Sequence, residues 1–252
     1  IAAFMLYFLK PKLTIIISIG LLLLYWIILL IFGEGDPFSM NGNAGILLDK
    51  WLLGEAHMYH GEGVAFEPEG LLSTMTSISN VVAGFVVGSF IQKKGKTYEM
   101  LTKLLLAGAA LLAIAWIWNH FFPVNKKLWT SSFVLLTVGL DCIIIATVIY
   151  VIDFLHQTKW TYFFEVFGRN PLFIYLLSEL GVILLYVFFV QPKVTVYKWI
   201  YENIYVNAGA YFGSLLFAIS VMLICWVVGY WMDKKKIYVN PFYLPAIFKP
   251  LF

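Results

Sequence analysis

This sequence contains a set of apolar segments that are each long enough to cross a lipid bilayer. The clearest runs from Leu13 to Phe32 almost without interruption. About twenty helical residues span roughly 30 Å, the thickness of the hydrocarbon core. A soluble chain of 252 residues, 62% hydrophobic and 12% charged, would have too little interior to bury so much apolar surface. The sequence therefore predicts an all-α polytopic membrane helix bundle, with about six full transmembrane helices plus the end of an earlier one.

Five further apolar runs complete the predicted set of spans. They cover residues 71–92, 104–119, 129–152, 170–190 and 211–232. The first residues, before Lys10, resemble the end of a helix, and the chain begins without Met, so we expect the sequence to be incomplete at its N-terminus. Residues 1–240 are predicted to form one transmembrane domain that contains an acidic loop at 34–70. We assign no role to the apolar tail at 241–252.

The distribution of lysines predicts how the chain is oriented. Clusters near Lys10, Lys93 and Lys234 fall on one side if every span crosses, whereas the 34–70 loop is rich in acids. The positive-inside rule places the lysines and the C-terminus in the cytoplasm and the acidic loop outside. The net charge of +3 is small and the lysines lie at helix ends, which argues against a nucleic-acid partner.

The acidic loop ends in Glu67-Pro68-Glu69-Gly70, directly before the second span. Carboxylates here could simply be stabilised by the helix N-terminus, with Ser73 as a cap. Equally, they could position an amine or accept its proton. In the same loop His57 is either an exposed histidine or a general base, since its pKa lies near neutrality. Two loop histidines without a fixed third ligand are weak support for zinc, and no metal is predicted.

Polar residues inside the spans have open alternatives as well. Asn80 lies on a helix face with hydroxyl residues and glycines at intervals of three and four, a pattern typical of helix packing or of a polar cavity. Asp141 and Glu179 are carboxyl residues within spans, where a paired or functional role is the default. Cys142 and Cys225 are interpreted as small buried hydrophobic residues and not as a disulfide.

Two short polar segments flank spans. In the turn before the fourth span, Lys126 could pair with the acidic loop or bind an anionic substrate, and Trp129 could anchor at the interface or stack on a sugar ring. Before the fifth span, Arg169 could hold a phosphate bidentately or contact lipid headgroups. Asn170, followed by Pro171, is predicted to be an N-cap.

Several of these segments together resemble the heparan-α-glucosaminide N-acetyltransferase family of transmembrane acyltransferases, in a bacterial form. The segments are residues 45–59, 66–74 and 122–130, Gly168, Asn170, residues 175–179 and residues 234–238. Two positions depart from the family pattern. Glu67 stands where the family usually has Asp, and Arg169 stands where it usually has Met.

The resemblance implies an enzyme of the bacterial inner membrane that passes acetyl from cytoplasmic acetyl-CoA to the amine of a glucosamine-like sugar on the outer side. For such a reaction, the orientation and the charges predict that the acceptor is bound by Glu67, Glu69, Asn80, Asn125, Lys126 and Trp129. They predict that Lys93, Lys94 and Arg169 attract the CoA phosphates and that Asn170 and Glu179 line the path between the two substrates. The catalytic candidates on this chain are Glu69 and His57.

The resemblance also implies a main catalytic histidine in a Trp-His-Gly context, which this sequence does not contain. We therefore expect that histidine to lie outside the chain. The expected partners are the amino sugar, acetyl-CoA and membrane lipid, with a homodimer left open. The alternative reading is a non-enzymatic transporter or binding protein for a sugar or lipid, whose polar second span and Asp141 would line a permeation route.

Overall fold

A computed structural model describes residues 1–61, 63–68 and 70–239. The predicted catalytic candidate Glu69 and the apolar tail at 241–252 lie outside the described residues. The chain divides into two compact units, Ile1–His156 and a second that begins at Gln157. The prediction of a single domain over 1–240 stays a prediction.

The first unit is a helical bundle. Its helices are α1 Ala2–Phe8, α2 Pro11–Phe32, α3 Ala44–Leu53, α4 Thr74–Lys94, α5 Tyr98–Trp118 and α6 Ser131–Ile149. Helices α2, α4, α5 and α6 are each long and apolar enough to cross a membrane, with α6 extended by a π-helical turn at Tyr150–Phe154. These confirm four predicted spans, and most of their ends shift by only a few residues.

The four spans of the first unit alternate in direction, so their connections gather at two ends. The lysine end holds Lys10, Lys94 and Lys96. The acid end holds the 33–73 loop and the 119–130 turn. At mid-depth, α5 and α6 cross at Gly108 and Gly139, where a Cβ on Gly108 would lie 2.8 Å from the Gly139 carbonyl oxygen. Small residues allow this close backbone approach, as in many membrane bundles.

The short helix α3 in the acidic loop is capped at both ends. Asn43 caps it by accepting a hydrogen bond from the Ile46 amide at 2.9 Å. Gly54 ends it with φ of 77°, a left-handed conformation that glycine adopts without strain.

The second unit contains one straight span and one bent pair of helices. Its helices are α7 Thr161–Arg169, α8 Pro171–Val187, α9 Val196–Ile200 and α10 Ala210–Lys234. A small antiparallel hairpin, β1 Phe189–Gln191 and β2 Val194–Thr195, follows α8. Among the described residues, five helices can each span a membrane, and α7 with α8 makes a sixth if the bent pair counts as one span. The fold is therefore the expected all-α polytopic bundle.

The predicted fifth span, 170–190, differs from the structure at its start. Helix α8 is preceded by α7 at an angle of 83°. The bend falls at Asn170, whose φ of −136° and ψ of 53° lie outside the helical region, which proline disfavours for the residue before it. Pro171 is the first residue of α8, as predicted, but the Asn170 side chain makes no capping bond. The predicted N-cap function of that side chain is wrong.

Candidate functional site

The acid end of the first unit encloses a small cavity of about 20 Å³, room for about one water molecule. It lies between α2, α3, the start of α4 and the 119–130 turn. Its polar lining comes from Tyr25, Asn43, Asp49, Glu67, Ser73 and Lys127. Of the residues predicted for acceptor binding, Glu67 lines this cavity and is half-buried.

Asp49 is the buried acid of this cavity, with only 2% of its surface exposed. Its Oδ1 accepts a hydrogen bond from the Leu71 amide at 3.1 Å, which joins α3 to the start of the second span. Burial raises the pKa of the Asp49 carboxyl and the nearby charge of Glu67 raises it further, while the Leu71 bond opposes both. Sequence reasoning did not single out Asp49; the available signal was an acid on a short amphipathic helix within the family-like segment.

Gly70 fits against that carboxyl. A Cβ at Gly70 would lie 2.5 Å from the Asp49 Oδ2, too close for any real contact. The Ser73 hydroxyl donates to the Gly70 carbonyl at 2.7 Å and does not cap α4. The predicted Ser73 cap is therefore wrong, and the residues around Gly70 instead form a turn that closes on Asp49.

The 119–130 turn is fixed to α2 by buried hydrogen bonds. The Tyr25 hydroxyl donates to the Leu128 carbonyl at 2.6 Å, and the Ser131 hydroxyl donates to the Leu22 carbonyl at 2.7 Å. The Asn125 side chain accepts from the Lys127 amide at 2.9 Å, so its carbonyl oxygen shapes the turn. These bonds hold the turn so that Lys127 lines the cavity with residues of the acidic loop.

The remaining acid-end candidates that the structure describes do not line this cavity. Lys126 is exposed. His57 is exposed, with its Nδ1 3.0 Å from the Leu53 carbonyl oxygen, and it does not line the cavity. Nearby Glu55 pairs with Lys50 at 2.6 Å, and this contact lowers the pKa of Glu55. Within the part of the chain that the structure describes, no group of three His, Cys, Asp or Glu residues could hold a metal ion.

A second polar group lies deeper along α4. Trp129 donates its indole N–H to the Asn80 Oδ1 at 3.0 Å, and Asn80 contacts the Thr137 hydroxyl at 3.4 Å. Trp129 adopts a left-handed φ of 51°, which is uncommon outside glycine. Asn80 and Trp129, both predicted to bind the acceptor sugar, are thus hydrogen-bonded to each other. Asn80 also lines a groove between α4 and α6 that contains Asp141.

At the lysine end, most predicted cations have acidic neighbours. Lys94 lies 3.0 Å from the Glu99 carboxylate, which Lys103 also contacts at 2.6 Å. Lys96 pairs with Asp153. Lys93 is exposed and forms no ion pair with any residue in the described ranges, so it is the least neutralised of these cations.

In the second unit, Arg169 is held by carboxylates. It pairs with Asp233, which is buried, and with Glu165 at 3.3 Å. Asp233 also accepts hydrogen bonds from the hydroxyls of Tyr162 at 2.8 Å and Tyr238 at 3.1 Å. The guanidinium therefore carries a structural ion pair, and an incoming phosphate would compete with two carboxylates for it.

Asn170 and Glu179 have contrasting surroundings. Asn170 is fully buried; its amide donates to the Ile237 carbonyl at 3.0 Å and accepts from the Val239 amide at 2.8 Å. This pair of bonds holds the segment after α10. Glu179 is exposed on α8 and pairs with no described residue. Both cysteines are buried and free, as expected.

Comparison with known proteins adds a relationship that spans more than half of the chain. No protein-family model matches it. The heparan-alpha-glucosaminide N-acetyltransferase of Homo sapiens is 30% identical over 167 residues, and that of Mus musculus is 31% identical over 168 residues. Each alignment covers 58% of this chain and 25% of the relative, so the chain spans about a quarter of their length. The chain is a distant, multi-pass membrane relative of the heparan-alpha-glucosaminide N-acetyltransferases.

Proposed function

We propose that this chain is part of a membrane N-acetyltransferase that moves acetyl from cytoplasmic acetyl-CoA to the amine of a glucosamine-like sugar on the opposite side. The observation that carries the proposal is the 30% identity over 167 residues to an enzyme named for N-acetyl transfer to a glucosaminide. We further propose that the protein lies in a bacterial inner membrane, with its lysine end and C-terminus in the cytoplasm and its acid end outside.

The acid end is the proposed acceptor side. Acyl transfer to an amine needs a deprotonated nitrogen and groups that orient it. The cavity beside Asp49 and Glu67 has room for about one water-sized group, so an amine or a hydroxyl could enter it while the sugar ring stays outside. Exposed Lys126 and the half-buried face of Trp129 would contact the ring, and Asn125 would hold the turn in shape.

The lysine end is the proposed side for acetyl-CoA. Lys93, and Lys94 less strongly because Glu99 lies beside it, would attract the CoA phosphates. Arg169, Asn170 and Glu179 stay predictions for the same ligand. The buried contacts of Arg169 and Asn170 with the 233–239 segment favour a supporting role, in which they fix the backbone near the ligand.

The activity is tested with membranes that contain the complete gene product to which this sequence belongs. Radiolabelled acetyl-CoA and glucosamine should give labelled N-acetylglucosamine, whereas glucose, which has no amine, should give no product. Absence of transfer would contradict the proposal. Glucosamine flux into vesicles without acetylation would favour the transporter instead.

The catalytic candidates are tested by substitution. Glu69→Gln removes a group that can accept the proton of the amine, and we expect kcat/KM to fall about a hundredfold, the usual scale for a general base. His57→Gln tests the second candidate in the same assay. Glu55→Gln, an exposed acid of the same loop that pairs with Lys50, is the matched control and should leave the rate unchanged. Full activity of Glu69→Gln with an unchanged KM for the sugar would show that the Glu67-Pro68-Glu69-Gly70 motif has a structural role only.

A further inference from the structure

Helices α4 and α6 leave an open groove of about 370 Å³ on the first unit. Its lining is Asn80, Gly84, Val87, Gly88, Val138, Asp141, Cys142, Ile144 and Ile145. A Cβ added at Gly84 or Gly88 would meet nothing within 4 Å, so these glycines widen the groove and do not contact another helix. The volume lies within the range of small-molecule sites, which are mostly apolar with a few converging polar groups.

Asp141 is the charged group of the groove and lies deep in the span. It follows Ser131, the first residue of α6, by about 15 Å along the helix axis, near the middle of the candidate span Ser131–Phe154. Its side chain is exposed and forms no hydrogen bond or ion pair with the residues that the structure describes. Carboxyl groups at such depth are costly and rare, and they commonly mark a partner or ligand.

Asn80 is the second polar group, and its orientation is fixed. The Trp129 indole holds its Oδ1 and the Thr137 hydroxyl holds its Nδ2. Thr137 precedes Asp141 by four residues, so the two lie on the same face of α6. The amide oxygen retains a second lone pair, which makes it a pre-oriented acceptor in the same groove as the Asp141 carboxylate.

The chemistry of this pair selects an amine. Two oxygen acceptors in an apolar groove suit a group with several N–H donors, and an ammonium would also neutralise the carboxylate. An anionic ligand such as a CoA phosphate would be repelled. We propose that this groove is a second binding site for the primary amine of an amino sugar, separate from the acid-end cavity, with Asp141 and Asn80 as its ligands. The identity of the sugar rests on the proposed function, whereas the preference for an amine rests on the groove alone.

Binding of radiolabelled glucosamine to the full protein in lipid nanodiscs, without acetyl-CoA, tests this site. Unlabelled glucosamine should compete, and glucose and N-acetylglucosamine, which lack a free amine, should not. Asp141→Asn should weaken binding at least about tenfold by removing the carboxylate, and Asp141→Glu should restore part of it. Thr147→Val is the matched control on α6, because among the described residues the Thr147 hydroxyl bonds only to the Ile143 carbonyl of its own helix. The affinity of this variant for glucosamine should not change.

Three outcomes would overturn the proposal: no glucosamine binding, equal competition by glucose, or unchanged affinity in Asp141→Asn. Asn is nearly the same size as Asp, and the thermal unfolding midpoint of each variant confirms that it folds. Acetylation without these binding effects would refute this site and leave the proposed activity intact. Amine binding that depends on Asp141, without acetylation, would support this site and contradict the proposed activity.

Discussion

At the scale of single residues, the buried side chain of Asp49 restricts which residues can pack against it. Its buried carboxyl contacts the backbone of Leu71 and leaves no space for a side chain at Gly70. The glycine of the Glu-Pro-Glu-Gly motif is therefore explained by packing against a carboxylate on another helix. Glu67, three residues before Gly70, lines the same cavity as Asp49.

Gly70→Ala should destabilise the protein by about 1–3 kcal/mol, the usual cost of forcing an extra carbon into a packed site. The added Cβ would have to displace the Asp49 carboxylate or the chain before α4. Thermal unfolding in detergent measures the change. Gly20→Ala is the control, since a Cβ there meets nothing within 4 Å. Equal midpoints for the two variants would contradict the proposed packing.

The raised pKa of Asp49 predicts a pH dependence of stability. The folded protein binds the Asp49 proton more tightly than the unfolded chain does. The stabilisation from this proton is therefore complete below the ordinary Asp pKa of about 3.9, and it is lost as the pH rises through the raised pKa of the folded state. Asp49→Asn removes the titration and keeps an oxygen for the Leu71 amide. As the pH rises from the ordinary Asp pKa through the raised pKa of Asp49, the unfolding midpoint of Asp49→Asn should therefore increase relative to that of the wild type. A constant difference from about pH 4 to 8 would show that the carboxyl is not perturbed.

At the scale of helices, two contacts organise the units. In the first unit, α5 and α6 approach at Gly108 and Gly139. In the second, the bend between α7 and α8 is held by Asn170 and by the pair of Arg169 with Asp233. The first contact needs small residues, and the second needs specific hydrogen bonds.

Gly108→Ala should destabilise the first unit by about 1–3 kcal/mol, because its Cβ would lie 2.8 Å from the Gly139 carbonyl oxygen. Chemical unfolding in mixed micelles, followed by tryptophan fluorescence, provides the measurement. Gly181→Ala, in α8, is the matched helical control, with nothing within 4 Å of its added Cβ. An equally large loss of stability in Gly181→Ala would contradict the proposal that the close α5–α6 contact at Gly108 requires a glycine.

Asn170→Ala should release the segment after α10, because it removes two hydrogen bonds to that backbone. Losing bonds of this kind corresponds to roughly a tenfold change in the local opening equilibrium. We expect trypsin to cleave after Lys235 and Lys236 correspondingly faster. Asn203→Ala is the control, since its amide bonds only to the Trp199 carbonyl of its own turn. Unchanged cleavage would mean that the segment is held by other contacts.

At the scale of the whole molecule, the proposed function depends on which end faces the cytoplasm. A membrane-impermeant maleimide distinguishes the ends in intact cells. His60→Cys, exposed in the acidic loop, should be labelled directly, and Lys235→Cys only after permeabilisation. The buried native cysteines give little background. The opposite labelling pattern would reverse the orientation and exchange the proposed sides of acetyl-CoA and sugar.

Much of the fold is readable from the sequence because its signals are local. The apolar runs predict the spans since hydropathy is averaged over one helix at a time. Asn43 and Gly54 define the two ends of α3 locally, since caps act on their own neighbours. The Glu-Pro-Glu-Gly motif is visible as a unit for the same reason.

The site depends on partners that local patterns do not specify. Asp49 meets Leu71, Asn80 meets Trp129 and Asn170 meets Val239, each across a loop or several helices. The same asparagine that favours a helix cap by its local sequence instead bonds to a distant backbone, because packing decides which unsatisfied group lies within reach. Local patterns are therefore sufficient for the membrane helices and for the likeness to acetyltransferases. Which polar groups are buried together depends on how the helices pack, since a hydrogen bond between two helices requires their contact and does not follow from either helix alone.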